Sequence, residues 1–485
     1  MEQFWARPKA ERLLVILILS ILIARFATMA ALPLMDTTEA RYAEIARKMA
    51  AMGDWITPWA DDGVPFWGKP PLSFWLTAIS FRLFGVSEFT ARLPHFICAL
   101  LIGLMVWDLA RRVEGKRAAL LAVAVLAGSS LFLISSGAVM TDTALVLGST
   151  AALYGFWQAL GGATVAQRRA GGWLFFLGMA VGLLAKGPLA LVLAGLPLAL
   201  WVTMERRWKE TLFGLPWIAG AVLVAVLVLP WYWLAEEKTP GFIDYFIVGE
   251  HWKRFLEPGW QGDMYGRAHN FPIGTVWLFA LIAVLPWPFT VLIVKWESRG
   301  RKTEQRDRSW VRYTLLWALM PLLFFTASRN IIWTYALPSL PAAALFVGGW
   351  LANHSQRAEG WVAGGLAIML GVTAGAGAGA VFFPHLMDGM TAKAVAVAYL
   401  GRRQAGEPLI FMEGRPFSAS FYSGNAARKA QSADELESAL AGKGGFLAYP
   451  SDAPSPKLPK GLAADAPAGR FGDFNLIHVR RLGTD

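Results

Sequence analysis

The sequence holds a single cysteine, Cys98, and it lies inside an apolar run, so neither a disulfide framework nor a thiolate metal centre can be built from this chain. Histidine is scarce too, six in all, and the pair that shares a loop with Glu250, His251 and His269, fits no standard ligand spacing. Charge is the third shortage. Only 16% of residues are charged against 55% hydrophobic, with a mean hydropathy of +0.44. A soluble core of 485 residues would need far more polar covering, so the chain is an integral membrane protein. Acidic residues are outnumbered, 34 to 45, which leaves a net charge of +11. That excess does not point to nucleic acid, because Lys and Arg gather in short loops between apolar segments, where they orient a protein during insertion.

Apolar segments of about spanning length occur near 13–34, 89–109, 118–139, 142–160, 172–185, 188–204, 213–234, 272–294, 310–326, 331–351 and 361–384. The first is long, contains Arg25 and lacks a small-residue cleavage site, so it reads as a retained anchor rather than a signal peptide. With about eleven spans, the basic stretches (Arg7 to Arg12, Arg111 to Arg117, Arg168-Arg169, Arg206 to Lys209, Lys295 to Arg312) all fall on one side, the cytoplasm. The opposite side receives loop 35–88, the turns at Asp142, Lys186 and Arg329-Asn330, loop 235–271 and the C-terminal tail. The expected fold is an all-α polytopic membrane domain over 1–384, followed at 385–485 by a small α/β domain outside the membrane.

Loop 35–88 concentrates charge between two apolar runs. Tyr42, Ile45, Met49 and Met52 recur at helical spacing, with Arg41, Glu44 and Lys48 on the other side, which predicts an amphipathic helix along the membrane surface. A second helix starts at Pro70-Pro71 and carries Phe74, Trp75, Ile79 and Phe81, holding Lys69 at the mouth between the two. Asp36 and Glu39 have the spacing of a capping box, with Asp36 at the N-cap. They are equally a pair of carboxylates at a surface pocket, able to take a proton from a nucleophile. The two readings are compatible. Lys69, fixed in Trp-Gly-Lys-Pro-Pro, suits a phosphate binder better than a flexible interfacial anchor.

Asp142 opens a span as MTDTAL and Lys186 breaks a hairpin as LAKGP. Charges at such boundaries are expensive when they face lipid and usually mark a site, although an N-cap and a turn charge explain them as well. The late loop, GEHWKRFLEPGWQGDMYGRAHNFPIG, suits an aromatic and basic lid over a ligand with an apolar tail and an anionic head. Beyond 385, the runs 408–412, 445–450 and 474–481 and the helix signature SADELESALAGKG supply the small domain's elements, with PSDAPSPKLPKG as a proline-rich loop.

These pieces resemble the multi-span membrane glycosyltransferases of the C-type fold, in particular the aminoarabinose-transferase-like and protein-mannosyltransferase-like group. The resemblance rests on TEARYAEIARKMAAMGDWITP with GKPPLSFW, then TDTAL, AKGPLALVL, GEHWKRF and WTYALP, and it covers about two-thirds of the chain in order. It implies an inverting enzyme that moves a sugar from a polyprenyl-phosphate carrier to a lipid A, glycan or protein acceptor at the outer face of a bacterial inner membrane. The implied catalytic carboxylates fall on Asp36, Glu39 and Asp142. Arg41, Tyr42, Lys69, Lys186, Arg254 and Tyr335 would hold the donor phosphate and carrier. His251 matches a metal-associated histidine. The sequence also departs from that group. Thr38 stands where an aspartate precedes the glutamate, and Gly68 stands where a glutamate precedes Lys-Pro-Pro, offering no side chain to a divalent ion. No cofactor is therefore fixed, a divalent metal stays open, and the expectation is transfer that does not need one. The alternative of another class is a flippase for the lipid-linked sugar, which would show internal repeats and charges near midmembrane. Neither stands out in the sequence.

Overall fold

The computed structural model describes residues 9–266, 269–299, 306–412, 414–440 and 444–482. Helix lies on every apolar run predicted above. Among the described residues, five helices are long and apolar enough to cross a membrane: Lys9–Ala31, Glu88–Val113, Trp217–Lys238, Trp333–His354 and Ala358–Phe382. A sixth crossing arises if Thr275–Ala283 and Trp287–Glu297, bent by 77° at their junction, count as one. The chain is a multi-pass membrane protein. The other runs form helices that are shorter, broken or less apolar. The hairpin of Thr141–Gly161 and Val165–Lys186 is of the last kind, because it faces protein more than lipid.

That hairpin closes backbone to backbone. A Cβ on Gly148 would lie 2.6 Å from the nitrogen of Gly182, and one on Gly178 would lie 2.5 Å from that of Ala152. Small residues at such a crossing let dispersion and weak polar contacts hold helices together where lipid is as apolar as the interface.

The predicted amphipathic helix is Thr38–Met52, ended by Gly53 in the left-handed region at φ 72°. It does not lie half-exposed along a surface. Glu44 and Lys48 are buried with Tyr42, Ile45 and Met49, because the hairpin β1 (Trp59–Asp61) and β2 (Val64–Pro65) and part of the C-terminal sequence cover its polar side. Lys48 Nζ is 3.2 Å from Asp62, and Arg415 reaches Asp61 at 2.7 Å. The second helix is Leu72–Phe84 with Pro71 at its N-cap, one residue from expectation.

The C-terminal part is a five-stranded sheet ordered β4-β3-β5-β7-β6. The strands are β3 (Leu409–Met412), β4 (Ala427–Ala430), β5 (Gly445–Pro450), β6 (Leu462–Phe471) and β7 (Phe474–Arg481). β3, β4 and β5 run parallel, while β7 is antiparallel to both β5 and β6. The two-residue side-chain period sends Leu409, Phe411 and Phe446 to one buried cluster and Ile410, Leu447 and Ile477 to another, so apolar cores cover both faces. The short helix Phe417–Tyr422 between β3 and β4 docks on the Thr38–Met52 helix, and Phe421 joins the core of Leu34, Tyr42, Phe66, Phe74 and Val139.

Candidate active site

The glycine hairpin sets the first pair of site residues. Asp142 lies in the first turn of one helix and Lys186 in the last turn of its antiparallel neighbour, so both come to the same end of the bundle. Lys186 Nζ meets Asp142 Oδ1 at 2.6 Å, with both side chains nearly buried. Lys186 Nζ also sits 5.1 Å from the centre of the Tyr335 ring, a cation–π contact. Asp142, Tyr335 and Tyr42 all act electrostatically on Lys186.

Loop 235–271 supplies the second cluster. Asp244–Lys253 winds as a π-helix, a form that recurs at functional sites, and the wider turn brings His251 Nδ1 to 2.7 Å from the carbonyl of Phe246. On the next residue back, Glu250 gathers three partners. Lys69 Nζ lies at 2.9 Å, Arg254 Nη1 at 2.9 and 3.0 Å from its two oxygens, and the Tyr245 hydroxyl donates at 3.3 Å. Arg254 also approaches Asp263 at 3.4 Å. Burial alone would raise the Glu250 carboxyl, but the charges of Lys69 and Arg254 prevail and hold it down to about 2. It is a carboxylate at any working pH. Lys69 also donates to the Gly68 carbonyl, so its ammonium is fixed on two sides, as the constrained Gly-Lys-Pro-Pro predicts.

Arg41 stands between these clusters and the C-terminal sheet. Its Nη1 donates to the Tyr265 carbonyl, and its guanidinium lies 5.3 Å from the Tyr42 ring centre, 5.5 Å from Phe66 and 5.7 Å from Phe417. The Nε atoms of both Arg41 and Arg254 are buried without a hydrogen-bond acceptor. Buried donors are rarely left so, and two of them on cations in one region ask for an anionic ligand.

The first-loop carboxylates are placed differently from the expectation. Asp36 is not an N-cap: Thr37 holds that position, and no side chain caps the helix. Both Asp36 oxygens instead accept from Ser418, one from the backbone N–H at 3.0 Å and one from the hydroxyl, while the Asp36 N–H donates to the Met390 carbonyl at 2.9 Å. Burial raises its pKa against those hydrogen bonds. Glu39 accepts from Arg92 Nε and Nη2, each at 2.8 Å, and from the N–H groups of Met35 and Val139, each at 3.2 Å. Burial pushes Glu39 up, Arg92 overrides it, and the net shift is downward. Arg92 in turn donates to the carbonyls of Met29, Leu32 and Pro33. Glu39 is thus the centre of a clamp joining the end of the first crossing, the first loop and the turn before Asp142.

His251 makes a poor metal ligand in this setting. Its Nε2 lies 3.1 Å from the Lys186 carbonyl, so both ring nitrogens face carbonyl oxygens, and burial lowers its pKa against the pull of those two acceptors. Glu250 is saturated by cations, Gly68 has no side chain, and no cluster of three or more His, Cys, Asp or Glu occurs among the described residues. The residues present do not fit a divalent metal.

The structure therefore brings Arg41, Tyr42, Lys69, Asp142, Lys186, His251, Arg254 and Tyr335 to one end of the bundle and ties Asp36 and Glu39 into its supports. Sequence reasoning undervalued Glu250, whose spacing of four from Arg254 was a legible pairing signal. It missed Arg92, Tyr245, Tyr265 and Ser418, whose partners lie too far along the chain to leave a local pattern.

Comparison with known proteins places this geometry. Residues 12–246 match the family model described as dolichyl-phosphate-mannose-protein mannosyltransferase. Two curated relatives carry the name undecaprenyl phosphate-alpha-4-amino-4-deoxy-L-arabinose arabinosyl transferase. The one from Edwardsiella ictaluri is 33% identical over 318 residues, 64% of this chain and 54% of its own length. The one from Sodalis glossinidius is 34% identical over 323 residues, 66% of this chain and 56% of its own. The chain spans just over half the length of these relatives. Among solved structures, ArnT from Cupriavidus metallidurans bound to undecaprenyl phosphate superposes with a TM-score of 0.79 at 20% identity, covering 96% of this chain and 97% of that one. Its apo form gives 0.78. The resemblance read from the sequence holds: the chain is similar to the aminoarabinose transferases and the protein mannosyltransferases, and its fold is that of ArnT.

Proposed function

We propose that this protein is an inverting glycosyltransferase that moves a sugar from undecaprenyl phosphate, or a closely related polyprenyl phosphate, to an acceptor at the outer face of the bacterial inner membrane. The observation that carries the reading is the convergence of Lys69, Arg254 and Arg41 at the end of the bundle, with two buried arginine donors unpaired. The similar relatives are named for an undecaprenyl-phosphate donor.

In this reading the carrier phosphate sits against Lys69, Arg254 and Arg41, with Lys186, Tyr42 and Tyr335 beside it. The acceptor oxygen forms a bond to the anomeric carbon from the face opposite the phosphate. The bond from that carbon to the phosphate oxygen breaks, and its electron pair stays on the phosphate, where fixed cations stabilise the growing charge. Asp36 and Glu39 are held by Ser418 and Arg92, and Asp142 by Lys186, so none of the three carboxylates is free to take a proton. That favours an acceptor already ionised, a phosphate group such as those of lipid A, over a hydroxyl that would need a base. Loop 35–88, loop 235–271 and residues 385–485 lie outside the cytoplasm, with the last as a separate α/β domain.

The test is transfer from radiolabelled polyprenyl-phosphate sugar by purified protein. Lys69→Ala and Arg41→Ala should each lower turnover by at least about tenfold, the equivalent of about 1.4 kcal/mol at the transition state. A folded Lys69→Ala protein with full activity would remove that residue from the reaction. An intact donor with movement of the lipid across the bilayer would indicate a flippase instead.

A further inference from the structure

Glu250 is an odd neighbour for a phosphate site. Its side chain is 4% exposed, and it engages the same two cations that the phosphate would use, Lys69 and Arg254. A site built only to bind an anion would leave those cations free.

The charges of substrate and product explain it. A polyprenyl-phosphate sugar is a phosphodiester with one negative charge. The polyprenyl phosphate left after transfer is a monoester with a second pKa of about 6, so it carries close to two charges at neutral pH. A strongly positive pocket would therefore hold product more tightly than substrate and stall after one turnover. The pocket has four cations, Lys69, Arg254, Lys186 and Arg41, against three carboxylates, Glu250, Asp142 and Asp263. A fixed carboxylate repels a dianion more than a monoanion, and it also keeps Lys69 and Arg254 oriented when the pocket is empty.

We infer that Glu250 is a positioning and specificity residue that weakens the site's hold on released polyprenyl phosphate and so sets the rate of product release. The inference rests on the phosphate site proposed above. At an effective dielectric near 20, one added charge at roughly 6 Å is worth more than the 1.4 kcal/mol of a tenfold change in affinity. Loss of the Glu250 charge should exceed that threshold for the product and fall short of it for the donor.

The experiment measures binding of undecaprenyl phosphate to the full-length protein, with pre-steady-state transfer alongside. Glu250→Gln should bind undecaprenyl phosphate at least about tenfold more tightly. Its first turnover should keep its rate while kcat and KM fall together, and Glu250→Asp, which keeps the charge, should return toward the native values. A purely structural role would not tighten product binding. Unchanged or weaker binding by folded Glu250→Gln overturns the inference. If that variant does not fold, Lys69→Met/Glu250→Gln is compared with Lys69→Met: tighter binding by the double variant supports the inference, and equal or weaker binding overturns it. Lys69→Met also separates the two levels. If it binds undecaprenyl phosphate as the native protein does, the phosphate site itself is misplaced and both readings fall; if it loses affinity, only the role of Glu250 is at stake.

Discussion

Replacing Glu39 with glutamine separates a structural clamp from a general base. Glu39 takes two charge-assisted hydrogen bonds of 2.8 Å from Arg92, whose side chain is 3% exposed, and two backbone N–H groups at 3.2 Å. Glutamine has nearly the same shape but no charge, and its NH2 would face one of the Arg92 donors. Removing one partner of a buried ion pair leaves the other charge uncompensated, at a cost of about 3–5 kcal/mol. The three carbonyls that Arg92 also engages keep part of its solvation, so the lower end is the better estimate, about 3 kcal/mol. Tryptophan fluorescence during heating in detergent should show the unfolding midpoint lowered by several degrees. Transfer per folded molecule should fall by less than about tenfold, because a clamp acts through the placement of Val139 and Asp142 and not on the proton, whereas loss of a general base costs about 10²–10⁴. The reasoning is refuted if Glu39→Gln melts like the native protein and yet loses a hundredfold or more of its rate. The pH dependence has a definite sign. The folded pKa of Glu39 lies below its ordinary 4.5, so its stabilisation is fully present above that value and is lost as pH falls through the lower folded value. Between pH 7 and 5 this pair should contribute no change in stability.

Chelation should leave transfer intact, since His251 is committed to two carbonyls and Glu250 to cations; activity abolished by EDTA and restored by one divalent metal would overturn this and make Glu250 and Asp142 the first ligands to substitute. Gly178→Leu should separate the hairpin, because even a Cβ there lies 2.5 Å from the Ala152 nitrogen, and with it the Asp142–Lys186 pair. We expect transfer reduced by more than about tenfold with the protein still inserted, and a fully active variant would show that the pair tolerates displacement. Reporter fusions should place the N-terminus inside and the end after Asp485 outside; an inside signal at that end would mean that the number of crossings is wrong by an odd number.

Local chemistry was legible in the sequence. Apolar runs gave helices because lipid and protein interior both select apolar side chains whatever the tertiary arrangement. Gly-Lys-Pro-Pro announced a fixed ammonium, because proline leaves the chain few conformations. The two-residue period located three of the five C-terminal strands. Partners distant in the chain were another matter. Lys69 and Glu250 are 181 residues apart, Asp36 and Ser418 are 382, and no periodicity encodes such a meeting. The spacing of Asp36 and Glu39 matched a capping box, yet the folded chain gave each carboxylate to a residue from another part of the molecule. A buried carboxylate takes the strongest donors that packing brings within reach, and those prevail over a local N–H. Sequence therefore determined which residues carry charge and at which end of the bundle they emerge. Tertiary structure alone decided which of those charges are spent on one another and which arginine donors remain open to a phosphate.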